Sequence, residues 1–292
     1  MYSISSKKEM EVFRNIRGVS EWVQEQKAEG RSIGFVPTMG ALHRAHLELV
    51  RRAGAENDAV VCSIFVNPIQ FNNPEDLRKY PRTLDADLAK LSGTGCSAVF
   101  CPGEKEMYPE KENKHYNFGH LDKVMEGKYR RGHFNGVAIA VDRLFRIVRP
   151  HRAYFGEKDY QQLQVIKAMT HMEGHPVEIV PCPTIRENDG LAMSSRNIRL
   201  SPRQREEAPR IYNALLDAKK AISEGKATSI DQVRDDAISF INTSPELRVE
   251  YFEIVDPESL LPVKNTRDAA GAVGCIAVYA GDVRLIDNLP FN

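Results

Sequence analysis

Short apolar runs that alternate with helically periodic segments constrain this chain more than any other feature. The runs are SIGFV (32–36), AVVCSIFV (59–66), SAVFC (97–101), RAYFG (152–156) and VEIVP (177–181). Apolar residues at helical spacing occupy 10–28, 41–53, 83–91, 137–148 and 159–172. Continuous apolar strands interleaved with helices require a parallel sheet covered on both faces. The expected class is therefore α/β, with a Rossmann-like parallel sheet flanked by helices. Small molecules bind such sheets on the loops at the carboxyl ends of the strands.

Near residue 185 the alternation stops. Polar loops (REND, then GLAMSSRN) lead into SPRQ, where Ser201 and Gln204 fit a capping box and Pro202 suits the first helical position. Helices are expected over 202–224 and 229–242, with strands at RVEYFEIVD and GCIAVYAG. The spacing predicts an α/β domain over 1–185 and a smaller α+β domain over 186–292. GTGCSA (93–98) matches the dinucleotide pattern of spaced glycines, but a helix precedes it and a strand follows, so its glycines read as a helix cap. No Walker-type phosphate loop occurs.

Forty basic residues balance forty acidic ones, which argues against a dedicated nucleic-acid binder. Five scattered cysteines with no C-x-x-C suggest neither a disulfide framework nor a zinc site. There is no apolar run long enough to span a membrane, and MYSISSKKEMEVF lacks the apolar core of a signal peptide, so a cytoplasmic location is expected.

The stretch FVPTMGALHRAHLELV (35–50) passes from strand to helix through a Pro and a Gly. A helix starting at about Gly40 or Ala41 would offer unpaired N–H groups to an anion, with His43 and His46 one turn apart beside it. A metal pair and ordinary structural histidines remain open readings of the same spacing.

The words VPTMGALH, SIFVNPIQF, YFGEKDYQQL and GLAMSSRN, together with YFEIVDPESL (251–260), resemble the pantoate–β-alanine ligase family. PTMGALHRAH also resembles the HxGH signature of the wider nucleotidyltransferase superfamily. Two positions depart from the family pattern: Ala45 stands at the Gly of HxGH, and Arg131 stands at the Pro of RPGHF. The resemblance implies joining of (R)-pantoate to β-alanine through a pantoyl adenylate, with ATP cleaved to AMP and pyrophosphate, in a homodimer that uses Mg2+.

It further implies an ATP site built from Met39, Gly40, Ala41, Leu42, His43, Arg44, Ala45 and His46, from Gly156, Glu157, Lys158 and Asp159, and from Ile185, Met193, Ser194, Ser195 and Arg196. His46 matches the family's proton donor. His43, Lys158 and Ser194–Arg196 would stabilise charge moving onto pyrophosphate, MSSR corresponding to the superfamily's mobile KMSKS-type loop. Gln70 and Gln162, with Asn67 and Thr38, would hold pantoate and β-alanine, since amides both donate and accept. Asp85 and Asp87 are candidates for the metal ion, whose ligands the sequence leaves unassigned. Two other readings share these residues: a nucleotidyltransferase that keeps AMP in its product, and a nucleotide-binding module without chemistry.

Overall fold

A computed structural model of the chain describes residues 9–291, so residues 1–8 of the N-terminal stretch considered above lie outside it. The described chain runs β1 (Glu11–Phe13), α1 (Ile16–Ala28), β2 (Ile33–Thr38), α2 (Arg44–Glu56), β3 (Ala59–Ile64), α3 (Pro74–Lys79), α4 (Leu84–Leu91), β4 (Ala98–Phe100), α5 (Glu104–Met107), α6 (Met125–Tyr129), α7 (His133–Val148), β5 (Arg152–Gly156), α8 (Tyr160–Met172) and β6 (Glu178–Cys182). There follow α9 (Pro202–Glu207), α10 (Arg210–Ser223), α11 (Ile230–Asn242), β7 (Leu247–Val255), β8 (Val273–Ala280) and β9 (Val283–Pro290).

Two compact units result. The first holds the described residues up to Phe118 with Arg130–Gly156 and Val165–Cys182. The second holds Gly119–Tyr129, Glu157–Gln164 and the described residues from Pro183 onward.

In the first unit all six strands pair in parallel, in the order β1-β4-β3-β2-β5-β6. The order turns at β2: β3 and β4 extend the sheet on one side, β5 and β6 on the other. The carboxyl ends of β2 and β5 therefore flank the switch point, where open α/β sheets bind ligands. Val36, Val60, Cys62, Val99, Tyr154 and Val180 pack with Leu42, Val50 and Ala53 in the core.

Four expectations are corrected. The helix expected over 10–28 is β1 followed by α1, because Asn15 breaks the run and caps α1 by accepting from Gly18 N–H at 2.7 Å. Strand β2 continues through Pro37 to Thr38. Its pairing with β5 ends at Phe35, so the ring lies beyond that ladder. Helix α2 begins at Arg44, three residues later than expected, since Gly40 (φ 80°) and Ala41 (φ 50°) are left-handed. The helix expected over 202–224 is two helices, interrupted where Pro209 cannot continue the hydrogen-bond ladder of α9.

The second unit carries an antiparallel sheet, β7-β8-β9, with α10 and α11 contributing Ile211, Leu215, Val233 and Ile241 to its core. The capping box is present: Ser201 N–H donates to Gln204 Oε1 at 2.9 Å, and Gln204 N–H to Ser201 Oγ at 3.2 Å. Strand β9 was not foreseen in the sequence, where LIDNLP has no clear alternation.

Candidate active site

At the end of β2 the chain makes a tight left-handed turn before entering α2. A Cβ on Gly40 would lie 3.1 Å from both Asp87 Oδ2 and Ile64 Cγ2, so the turn needs glycine there. Asp87, fully buried on α4, fixes the shape of that turn: Ala41 N–H donates to its Oδ2 at 2.8 Å and Leu42 N–H to its Oδ1 at 2.7 Å. Thr83 Oγ1 donates to it as well, at 3.1 Å. Asp87 thus organises backbone, and two of the amides expected to meet an anion are occupied by it. The first-turn amides that retain no intrahelical acceptor are those of Arg44 and Ala45.

His43 is the N-cap of α2 and His46 its third residue. The ring centroids are 4.0 Å apart, and His43 N–H donates to Nδ1 of His46 at 3.3 Å. Accepting that proton requires the Nδ1 lone pair, so the neutral His46 ring carries its own proton on Nε2. Thr38 Oγ1 donates to the Ser63 carbonyl at 2.7 Å and accepts from Gly40 N–H at 3.2 Å, tying β2 to β3 at the turn.

Gln70 sits in a 3-10 turn (Pro68–Gln70) after β3. Its Oε1 accepts from Asn67 Nδ2 at 3.0 Å, and its Nε2 reaches Met39 Sδ at 3.0 Å. Asn67 is engaged on every side: Nδ2 also donates to the Gly136 carbonyl at 3.0 Å, and Oδ1 accepts from Tyr108 OH at 2.8 Å. Burial pushes the Tyr108 hydroxyl well above its ordinary value, which keeps it a donor. The Gln70 carbonyl pairs with Nδ1 of buried His133 at 2.8 Å. A Cβ on Gly136 would fall 2.3 Å from the Ile69 carbonyl oxygen, so α7 reaches this turn only with glycine at that position. Asn67 therefore orients Gln70, a role the sequence did not separate from substrate contact. Tyr108, His133 and Gly136 were missed because their partners are remote in sequence.

The second unit receives the chain directly after Gly156. Glu157–Asp159 form a 3-10 turn that opens α8. Asn288 on β9 fixes this turn, its Nδ2 donating to the carbonyls of Glu157 and Lys158, both at 2.8 Å. Lys158 is mostly buried, with its Nζ 3.9 Å from Asp159 Oδ1. Gln161 is wholly engaged: Nε2 donates to the carbonyls of Leu121 and Val124, and Oε1 accepts from Glu126 N–H. Gln162 is half-buried, and its side chain makes no hydrogen bond to any described residue.

Ile185 pairs with Met193, whose N–H donates to its carbonyl at 3.0 Å, and Arg186 bridges Ala192, so MSSR leaves a short hairpin. The Asn188–Gly190 corner just before it is tied on both sides within this unit. Arg205 bonds Asp189 at 2.6 Å, and Arg186 donates to the Gly190 carbonyl at 3.1 Å. Arg186 also makes a two-pronged ion pair with buried Asp287 and lies 3.8 Å over the Tyr212 ring. In the segment itself, Arg196 N–H donates to Ser194 Oγ at 3.2 Å. Arg186, Asp287 and Asn288 were invisible to the sequence reading because β9 was.

A parallel sheet whose strand order turns at β2, with a histidine pair at the start of the helix that follows, defines an α/β protein of the small-molecule-binding class. A family model described as pantoate-beta-alanine ligase matches residues 11–290. The chain belongs to that family, and it is a ligase that forms pantothenate from pantoate and β-alanine.

The pantothenate synthetase of Porphyromonas gingivalis is 50% identical over 283 residues, covering 97% of this chain and 100% of that protein. That of Bacteroides fragilis is 48% identical over 283 residues, covering 97% and 99%. The crystal structure of the Thermus thermophilus pantothenate synthetase superposes with a TM-score of 0.90 at 45% identity, over 97% of this chain and 99% of that one. The Francisella tularensis pantoate-beta-alanine ligase, solved in complex with beta-gamma ATP and beta-alanine, gives 0.81 at 33% identity over 97% and 98%.

Proposed function

We propose that the chain condenses (R)-pantoate with β-alanine in two steps driven by ATP. In the first, a pantoate carboxylate oxygen attacks the α-phosphorus, pyrophosphate leaves, and pantoyl adenylate forms. In the second, the β-alanine nitrogen attacks the acyl carbon and AMP departs with the acyl C–O bond broken. The observation that carries this reading is the 3.3 Å bond from His43 N–H to Nδ1 of His46, which puts the proton of the neutral ring on Nε2. A fixed donor acts where charge develops on the phosphates as pyrophosphate separates. His43 and the amides of Arg44 and Ala45 add positive potential there.

Gln70 is assigned to pantoate: Asn67 holds its carbonyl oxygen and Met39 Sδ accepts from Nε2, so the second amide N–H is assigned to a carboxylate or hydroxyl of the substrate. Gln162 joins it, as an amide with no internal partner. Lys158, Ser194, Ser195 and Arg196 are assigned to the β- and γ-phosphates, with Met39, Gly40, Ala41, Leu42, Gly156, Glu157, Asp159, Ile185 and Met193 around the rest of the nucleotide.

Among the described residues no three His, Cys, Asp or Glu side chains form a metal cluster. On the family resemblance we assign a Mg2+ held mainly by ATP phosphates and water, a mode that needs no dedicated protein cage. The ion would neutralise phosphate charge. We assign a homodimer and a cytoplasmic location on the family resemblance; among the described residues no helix is long and apolar enough to cross a membrane.

Exchange of labelled pyrophosphate into ATP tests this reading. Exchange that requires pantoate and proceeds without β-alanine is expected. Exchange independent of pantoate would instead favour a nucleotidyltransferase acting on another acceptor, and none at all a binding module.

A further inference from the structure

At the amino edge of the first unit's sheet lies a cavity of about 620 Å³. It is formed by the segments that precede β2, β5 and β6, whereas the histidines follow the carboxyl end of β2. Phe145, Pro150, Pro176 and Val177 make an apolar floor. Every charged or titratable side chain lining it is basic, and no carboxylate is among the lining residues. Arg146 and His175 have their charges answered elsewhere, by Asp142 and, for Arg146, also by Glu173. Lys27, Arg149 and His151 have no carboxylate partner among the described residues. Lys27 Nζ donates to the Arg149 carbonyl at 2.5 Å, and His151 Nδ1 accepts from Ile33 N–H at 2.8 Å, which leaves Nε2–H of the neutral ring as a donor.

Mutual repulsion acts on these groups. Burial and the neighbouring Arg149 push Lys27 below its ordinary value, and burial, Lys27 and Arg152 push His151 down. An anion would relieve both.

A second, independent observation concerns Arg149. It ends α7 in the left-handed region, at φ 44° and ψ 54°. Glycine is the ordinary residue at such a helix end, because a Cβ is disfavoured there. The chain places a guanidinium at a position whose backbone favours glycine, and does so at the rim of a cavity. Strain of this kind concentrates at ligand sites.

We infer that this cavity is a second ligand site, taking a small organic anion with a carboxylate or phosphate head on an apolar body. Arg149 and Lys27 bind the head, His151 Nε2 donates to it, and the apolar floor takes the body. The inference is independent of the active-site assignments.

Calorimetry with three probes tests it: phenyl phosphate, benzoate and inorganic phosphate, each titrated into the wild-type enzyme, Arg149→Gly and Lys27→Gln. Arg149→Gly suits the left-handed backbone and so preserves the helix end, and Lys27→Gln keeps a donor for the Arg149 carbonyl. At least one of the two aromatic anions is expected to bind the wild type, about tenfold or more tighter than inorganic phosphate. Each substitution should weaken that binding about tenfold, the scale of one lost charge-assisted hydrogen bond, with pantothenate synthesis unchanged when no probe is present. Which aromatic anion binds identifies the head. Equal affinities in wild type and both variants, or no binding of either aromatic anion, would overturn the inference.

Discussion

Asn67 donates from Nδ2 to Oε1 of Gln70 at 3.0 Å, and the two side chains are buried side by side in the turn after β3. The bond fixes the orientation of the Gln70 amide. Gln70→Ala should raise the KM for pantoate by roughly ten- to hundredfold, through loss of a hydrogen bond to a charged group. Asn67→Ala should raise it too, but the double variant should be little worse than Gln70→Ala. A coupling of about 0.5–3 kcal/mol is the range for side chains acting through one another. Purely additive effects on pantoate KM would show that Asn67 touches substrate on its own account.

His46→Ala should lower pantoate-dependent pyrophosphate exchange by roughly two to three orders of magnitude, the scale of one lost transition-state donor. Because the ring caps His43 N–H at 3.3 Å, the melting temperature should move by a few degrees at most, in keeping with loss of a helix cap. Near-normal exchange in a folded variant would remove His46 from the chemistry.

Ala45 is the second residue of α2, where the family motif carries glycine. The methyl group stands beside one of the helix's two remaining orphan amides. Ala45→Gly should leave the ATP KM equal or lower, and reduce stability by no more than about 1 kcal/mol. A sharply raised KM for ATP would mean that the methyl itself contacts the nucleotide.

Asp142 and Glu173 set an acid-stability limit for the first unit. Burial opposes ionisation of Asp142, yet the bonds from Lys114, His175 and Arg146 hold its carboxyl below the ordinary 3.8. The bond from Lys114 leads in holding Glu173 below 4.5. Carboxyls depressed in the folded state contribute stability above their unfolded values and lose it as pH falls through the folded ones. That contribution is therefore complete at neutral pH and disappears below about pH 4.5. Lys114→Met should shift the midpoint of acid unfolding to higher pH; an unchanged midpoint would show that the network carries no pH-dependent stability.

The parallel sheet was legible because its strands are nearly continuous apolar runs, so buried strands such as AVVCSIFV announce themselves. Strand β9 was not, because its sequence interrupts the apolar pattern with Asp287 and Asn288, two polar residues buried by their partners. The histidine pair was legible from its spacing and setting. The left-handed turn in front of it was not: its geometry depends on Asp87, 46 positions beyond Ala41, and a single Asp on a helix carries no local mark of that bond. Gln161 and Gln162 show the same limit. They are adjacent and identical in type, and only the fold reveals that the first is locked to Leu121 and Val124 while the second has no internal partner.

The bond from Asn288 to the Glu157 carbonyl spans 131 positions. A growing chain that has just made the Glu157–Asp159 turn must wait for the ribosome to add that many residues before the amide arrives, roughly ten seconds of elongation. Until then the carbonyls of Glu157 and Lys158 lack this restraint, and the lysine assigned to ATP has no settled backbone beneath it. The enzyme should thus acquire activity abruptly once β9 has been made rather than in stages, even though the first unit's described sheet has all its strands by Cys182.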